Sequence, residues 1–256
     1  MHTNLNFEQD GKAVAIIRNK DNKVKDKTVY LSNNKDDVRM PYDMIEANKN
    51  EKISLITPSK DSRVVLYIIG MSGSGKSYWS ANYIKEYQKK NKANKVFIIS
   101  PITDDESINS IKNLERINPN SVNFMNEPPP LSYFQDGLII CDDIEAYGKK
   151  TLNRVMALIN AVLTTGRHMN ISLLFLSHTA TNGAMSKIIL TESHGLIIFP
   201  QNMSGKSSKY LLDNYYGLNK HQIEKVKQLP SRTVIIFRSY PTLIISENMI
   251  VPLNKF

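Results

Sequence analysis

The chain has 256 residues, with 33 Lys or Arg against 24 Asp or Glu and a formal net charge of +9. That length suits one α/β domain, or one domain with a modest extension, and a full core needs no disulfide staples. A single cysteine, Cys141, excludes an intrachain bridge and points to a reducing intracellular setting. No apolar run approaches the roughly 18 residues of a membrane span, and the polar segment Met1 to Gly11 lacks the apolar stretch of a secretory leader.

Residues 1–62 alternate short apolar stretches, Ala13 to Ile17 and Ile53 to Ile56, with Asn/Asp/Lys clusters. They read as a β-rich extension of short strands packed on the edge of a main domain, residues 63–256. There the pattern becomes strand then helix: strand 64–69, helix 76–90, strand 96–100, a weak helix near 105–117, strand 138–142, helix 150–165 and strand 171–177. This alternation predicts an α/β fold with a mostly parallel central sheet covered by helices on both faces. Glu127-Pro128-Pro129-Pro130 fits neither helix interior nor central strand and reads as a rigid connector. Strands at 195–199 and 233–237, helices at 206–216 and 219–228, and a final strand pair at 243–245 and 249–251 complete the reading.

Directly behind the apolar run Val64 to Ile69 stands Gly70-Met71-Ser72-Gly73-Ser74-Gly75-Lys76-Ser77, a GxxxxGKS phosphate loop (Walker A). Its glycines let the backbone curl so that N–H groups converge on phosphates. Lys76 places a cation on the β/γ-phosphates, the Ser77 hydroxyl can ligate Mg²⁺, and the following helix, starting through Tyr78, adds the positive end of its dipole. The nucleotide is expected to be ATP. A hydrolase of this kind also needs acids at the end of a neighbouring strand (Walker B). Leu138-Ile139-Ile140-Cys141-Asp142-Asp143 supplies them, with Asp142 for the Mg²⁺ shell and Asp143 as the base that polarises water. Glu145 is the alternative base. Cys141, inside the strand, reads as an inert buried thiol.

Together with Thr165-Gly166-Arg167-His168-Met169-Asn170-Ile171-Ser172, which leads into strand Leu173 to Ser177, these motifs resemble the HerA/FtsK superfamily. Within it the chain is most similar to the genome-packaging ATPases of poxviruses, other large DNA viruses and virophages. The likeness covers residues 60–200 well and the flanks only in general pattern. It implies a RecA-like core, a homo-oligomeric ring with ATP between subunits, and double-stranded DNA moved through the channel without sequence preference. It also implies a capsid or portal-vertex partner and a place in the host cytoplasm, the viral factory or the virion. Arg167 becomes a candidate arginine finger acting on a neighbour's γ-phosphate, with a helix-end cap as its alternative role and Arg154 as the alternative finger. Where relatives present a sensor Gln after the next strand, Ser177-His178 stands here, and His178 can donate a hydrogen bond as Gln does. An Arg-x-Asn pair that relatives often carry is absent from Leu190-Thr191-Glu192, so its role does not transfer, although Lys187 is nearby.

The charge surplus lies late in the chain. Residues 148–256 hold 13 basic and 4 acidic side chains, against 11 and 10 in residues 1–62 and 9 and 10 in residues 63–147. Lys149 and Lys150, just after the acid strand, and Lys206 and Lys209, in a Ser/Gly-rich stretch, are the candidate DNA-phosphate contacts. Tyr215 and Tyr216 read as core or subunit contacts, because a duplex offers no free base faces. Three other readings compete with a packaging motor: a conjugation-type or helicase motor of the same superfamily, a small-molecule kinase, and a nucleotide-binding scaffold without hydrolysis. The first generally adds membrane segments or an inserted domain, and the second an Arg-rich lid.

Overall fold

The structure is a computed structural model that describes residues 4–21, 24–32, 42–59, 62–180, 183–203 and 205–256. Part of the expected N-terminal extension, residues 33–41, lies outside them. The chain forms two compact units, one of residues 57–194 and one of residues 1–56 with 195–256. The C-terminal strands, assigned from sequence to the main domain, therefore cluster with the N-terminal ones.

The first unit to begin contains β1 (Asn4–Asn6), β2 (Lys12–Asn19), β3 (Lys27–Ser32), β4 (Ile45–Glu46) and β5 (Glu51–Leu55). Four of these pair antiparallel in the order β1-β3-β2-β5, burying Val14, Ala15, Ile17, Val29 and Ile53.

The unit of residues 57–194 carries β6 (Val65–Ile69), α1 (Lys76–Lys90), β7 (Val96–Ile99), α2 (Glu106–Asn109), β8 (Leu114–Ile117), α3 (Val122–Asn126), β9 (Leu138–Cys141), α4 (Lys149–Thr165), β10 (Ser172–Ser177) and α5 (Gly183–Glu192). Its five strands are parallel in the order β6-β10-β9-β7-β8. Every residue of β6, β7, β9 and β10 is buried, which explains their unbroken apolar runs: a parallel strand covered on both faces has no polar side to alternate with. α4 buries Val155, Leu158, Ile159, Val162 and Leu163, a stripe at helical spacing.

Two expectations need correction here. The weak helix near 105–117 is a single turn, α2, whose N-cap Asp105 accepts a 3.0 Å hydrogen bond from Ile108 N–H. The chain then turns through Asn113 at φ 53° and continues as β8, parallel to β7. Residues 183–192, given no element from sequence, are helix α5. The proline connector stands as expected, outside regular structure at 128–130.

The second half of the other unit comprises β11 (Gly195–Ile198), α6 (Gly205–Tyr216), α7 (Lys220–Gln228), β12 (Val234–Phe237), β13 (Leu243–Ser246) and β14 (Met249–Pro252). β11, β12, β13, β14 and β4 follow one another as an antiparallel ladder. α7 starts with a capping box in which Asn219 and Gln222 satisfy each other's backbone N–H groups. Tyr216 is buried beneath the Arg238 guanidinium, 4.5 Å from its ring centre. Of the two alternatives read from sequence for Tyr216, core or subunit contact, this burial fits the core one.

Candidate nucleotide site

Parallel pairing brings the C-terminal ends of four strands to one edge: Ile69 lies opposite Ser177, Phe175 opposite Cys141, and Cys141 opposite Ile99. Whatever follows each strand therefore meets at that edge, which is where open parallel sheets place their ligand crevices. After β6 comes the phosphate loop, after β9 the acid pair, after β10 Ser177-His178, and after β7 the turn leading to Asp105.

The loop is held at its start by Gly70 N–H, which donates to Ser177 O at 3.2 Å. Gly73 (φ 76°) and Gly75 (φ 104°) adopt left-handed backbone that side-chain-bearing residues disfavour. A Cβ at Gly73 would meet nothing within 4 Å, so backbone conformation and not crowding demands glycine there, and the space beside it is open. Gly75 is the N-cap of the 15-residue α1, whose first-turn N–H groups have no intrahelical acceptor. Ser74 Oγ is buried and has no hydrogen-bond partner among the described residues. Met71, Ser72 and Tyr78 are exposed around the loop, and Ser77 is half-buried in the first helical turn.

Lys76 is buried, and its ammonium donates to Gly70 O at 2.8 Å and Met71 O at 3.4 Å while lying 3.2 Å from His178 Nδ1. Burial pulls its pKa down; Asp142, Asp143 and Glu145 each pull it back up. The predicted cation and all three predicted acids thus share one electrostatic neighbourhood. Asp142 is the buried member, pushed up to about 6 by burial and by Asp143, with Lys76 opposing. Asp105, unremarked in the sequence, adds to that push.

Asp143 takes the left-handed conformation at φ 50° and hydrogen-bonds His178 Nε2. Glu145 accepts from the Ser177 hydroxyl at 3.0 Å, and that hydroxyl in turn accepts from Thr179 N–H at 3.2 Å. The loop beyond β10 is pinned by Tyr67, whose hydroxyl lies 3.1 Å from Thr179 O. Burial also pushes the Cys141 thiol up, in keeping with an inert role.

This donor set fits a magnesium nucleotide. A buried carboxylate with a raised pKa favours a cation, the Ser77 hydroxyl is an oxygen donor from the adjoining helix turn, and open glycine backbone faces the same edge. Among the described residues no cluster of three or more His, Cys, Asp or Glu could hold a metal ion. Mg²⁺ in phosphate-loop proteins does not need one, because one carboxylate, one hydroxyl and phosphate oxygens suffice.

Arg167 sits apart from these groups in a 3-10 turn after α4, exposed, with Nε 3.4 Å from His168 Nε2. The cap role considered for it falls to Arg63, whose guanidinium donates to Val162 O at 2.9 Å and Leu163 O at 3.1 Å. Sequence reasoning missed Arg63 because its partners lie about a hundred positions away; the sole signal is an arginine directly before a buried strand. Arg154, Lys149 and Lys150 are exposed on α4, and Lys206 and Lys209 are exposed on α6.

No family model matches the chain. Over 252 residues it is 33% identical to the uncharacterized protein V3 of Sputnik virophage, a match covering 95% of this chain and 96% of that protein. Among solved structures it resembles B204, the DNA-packaging ATPase from Sulfolobus turreted icosahedral virus, with TM-score 0.51 and 17% identity over 73% of this chain and 98% of that chain. It also resembles the pCW3 conjugation coupling protein TcpA in its monomer form with ATPγS, with TM-score 0.53 and 10% identity over 94% of this chain and 78% of that chain. At these identities the structures speak for the fold. The chain belongs to the family of Sputnik virophage protein V3, and it shares its fold with the ATPase B204 and the coupling protein TcpA.

Proposed function

We propose that the protein hydrolyses ATP to move double-stranded DNA and thereby packages a viral genome into its capsid. The observation that carries this reading is the convergence of Lys76, Asp142, Asp143 and Glu145 at the edge where the glycine loop opens. Residues 70–78 cradle the triphosphate, with Lys76 on the β/γ-phosphates. Ser77 and Asp142 would hold Mg²⁺, which would supply positive charge to neutralise the phosphates and the leaving group. Asp143 is the base for the attacking water; Glu145, tied to Ser177, supports the same edge.

Arg167, freed from helix capping by Arg63, is exposed and available to a neighbouring subunit in a ring. Lys149 and Lys150, and separately Lys206 and Lys209, bind DNA phosphates without reading bases. A capsid or portal-vertex protein is the docking partner, in the host cytoplasm or viral factory. No described helix is long and apolar enough to cross a membrane. In this reading residues 57–194 carry the ATPase chemistry, and the basic stretch 148–256 faces DNA.

The test is ATP hydrolysis by wild type, Lys76→Ala and Asp143→Asn, with and without long duplex DNA. Wild type is expected to turn over ATP, faster with DNA. Both variants should lose activity on the order of 10²–10³-fold. Turnover indifferent to DNA and to Asp143→Asn would sink the motor reading and leave a nucleotide-binding protein of another kind.

A further inference from the structure

His178 touches both halves of the nucleotide machinery at once. Its Nδ1 lies 3.2 Å from the Lys76 ammonium, and its Nε2 hydrogen-bonds Asp143 Oδ1. The first contact dictates the second. An ammonium has three N–H donors and no acceptor, so the imidazole nitrogen facing it must present a lone pair. Nδ1 is therefore unprotonated and the single ring proton sits on Nε2, from which it is donated to the Asp143 carboxylate. The polarity runs one way, from Lys76 N–H to His178 Nδ1 and from His178 Nε2–H to Asp143.

The scaffold around the ring is built for this. Tyr67 holds the backbone just after His178, the Ser177 hydroxyl ties the preceding residue to Glu145, and Gly70 N–H ties the loop to Ser177 O. Asp143, in left-handed backbone, has its carboxylate committed to the ring. Lys76 cannot serve a triphosphate without changing its share in the contact to Nδ1.

We infer that His178 is a positioning residue that couples phosphate arrival at Lys76 to release and orientation of Asp143. In nucleotide-free protein it restrains both groups; when the γ-phosphate draws the ammonium, the ring loses its anchor and the carboxylate is freed to receive water. The inference rests on the ATPase reading for its consequence in turnover, but the tautomer itself does not. Gln is the side chain that can replace His178, since its carbonyl oxygen accepts and its amide N–H donates.

Two measurements decide it. Imidazole ¹⁵N spectra of the nucleotide-free wild type should show His178 protonated at Nε2 and bare at Nδ1. The Nδ1 signal should move in Lys76→Met and on adding ATPγS with Mg²⁺. A proton on Nδ1, or an Nδ1 signal blind to both changes, would overturn the inference whether or not the protein hydrolyses ATP. In steady-state hydrolysis, His178→Ala should lower kcat about tenfold to a hundredfold with KM changed far less, and His178→Gln should recover most of the loss. Wild-type kcat in His178→Ala, or no recovery in a folded His178→Gln, would overturn it while leaving the ATPase reading intact. Absent turnover in the wild type would instead overturn that reading.

Discussion

Among the described residues the protein's two buried charged residues, Lys76 and Asp142, both belong to the unit of residues 57–194. Among its described residues the unit of residues 1–56 and 195–256 buries polar residues such as Asn6, Ser208, Ser231 and Ser246 but no whole charged residue, and its enclosed Glu51 carboxylate is paired with Lys27 at 3.2 Å. The contrast separates two uses of charge. Taking an ion out of water costs several kcal/mol, and a fold that bears this cost at a strand edge has preorganised electrostatics there. Exposed lysines such as Lys206 and Lys209 cost little and act by releasing counterions from a polyanion. One unit is built for chemistry, while the other can contribute to grip.

The sharpest way to break this division is through a residue of the first unit that is exposed. Arg167→Ala should lower ATP turnover on the order of 10³-fold, the scale of a lost arginine finger, with nucleotide binding and thermal stability nearly unchanged. Doping wild type with this variant should depress activity more than in proportion, because each defective subunit silences a neighbour's site. Strict proportionality would show that Arg167 acts within its own chain. A strictly monomeric protein in the presence of a nonhydrolysable ATP analogue would remove its role in trans.

A second prediction weighs the buried charge directly. Asp142 has an ordinary pKa of 3.8 and is pushed up to about 6 in the fold. Between those values the native state holds a proton that the unfolded chain has lost. Stability of the wild type therefore falls as pH rises through that window and levels off above it. Asp142→Asn removes the effect, so at pH 7.5 the nucleotide-free variant should be more stable by on the order of 2–3 kcal/mol. Below the unfolded pKa the gain should vanish, and Mg²⁺-dependent turnover should be lost at every pH. Chemical denaturation at both pH values measures it; equal stability at pH 7.5 would show that the buried carboxylate is already compensated.

These predictions also mark what could be read without coordinates. The phosphate loop and the acid strand were legible because their physics is local: glycines at positive φ, a lysine at fixed spacing, and apolar runs that can only be buried strands. α4 was legible from its stripe. The misreading at 105–117 came from a competition that periodicity cannot weigh, a one-turn cap at Asp105 against pairing of Leu114 to Ile117 with β7. Arg63 is opaque in a different way: its role lies in a contact to Val162 about 100 positions along the chain. His178 is legible as a candidate for the sensor position, but its bridge from Lys76 to Asp143 is not, because Lys76 lies about 100 positions away.

The smallest expected effect tests the boundary between chemistry and grip inside one helix. Lys149 and Lys150 open α4, whose N-cap Gly148 makes no side-chain capping bond and whose first turn has no acid. Two cations at the positive end of a 17-residue helix oppose its dipole, each by about 0.3–1 kcal/mol at an exposed position. Replacing both by Gln should therefore raise stability by roughly 0.6–2 kcal/mol. If they hold DNA phosphates, the same change should weaken duplex binding and reduce the slope of log affinity against log salt by about 2. Turnover without DNA should be unaltered. Lys206→Gln with Lys209→Gln should change the salt slope with about half that gain in stability, about 0.3–1 kcal/mol, since α6 carries only Lys206 in its first turn. A stability gain at α4 with no change in salt slope would show that its lysines are tolerated surface charge, and would leave the grip to residues 195–256 alone.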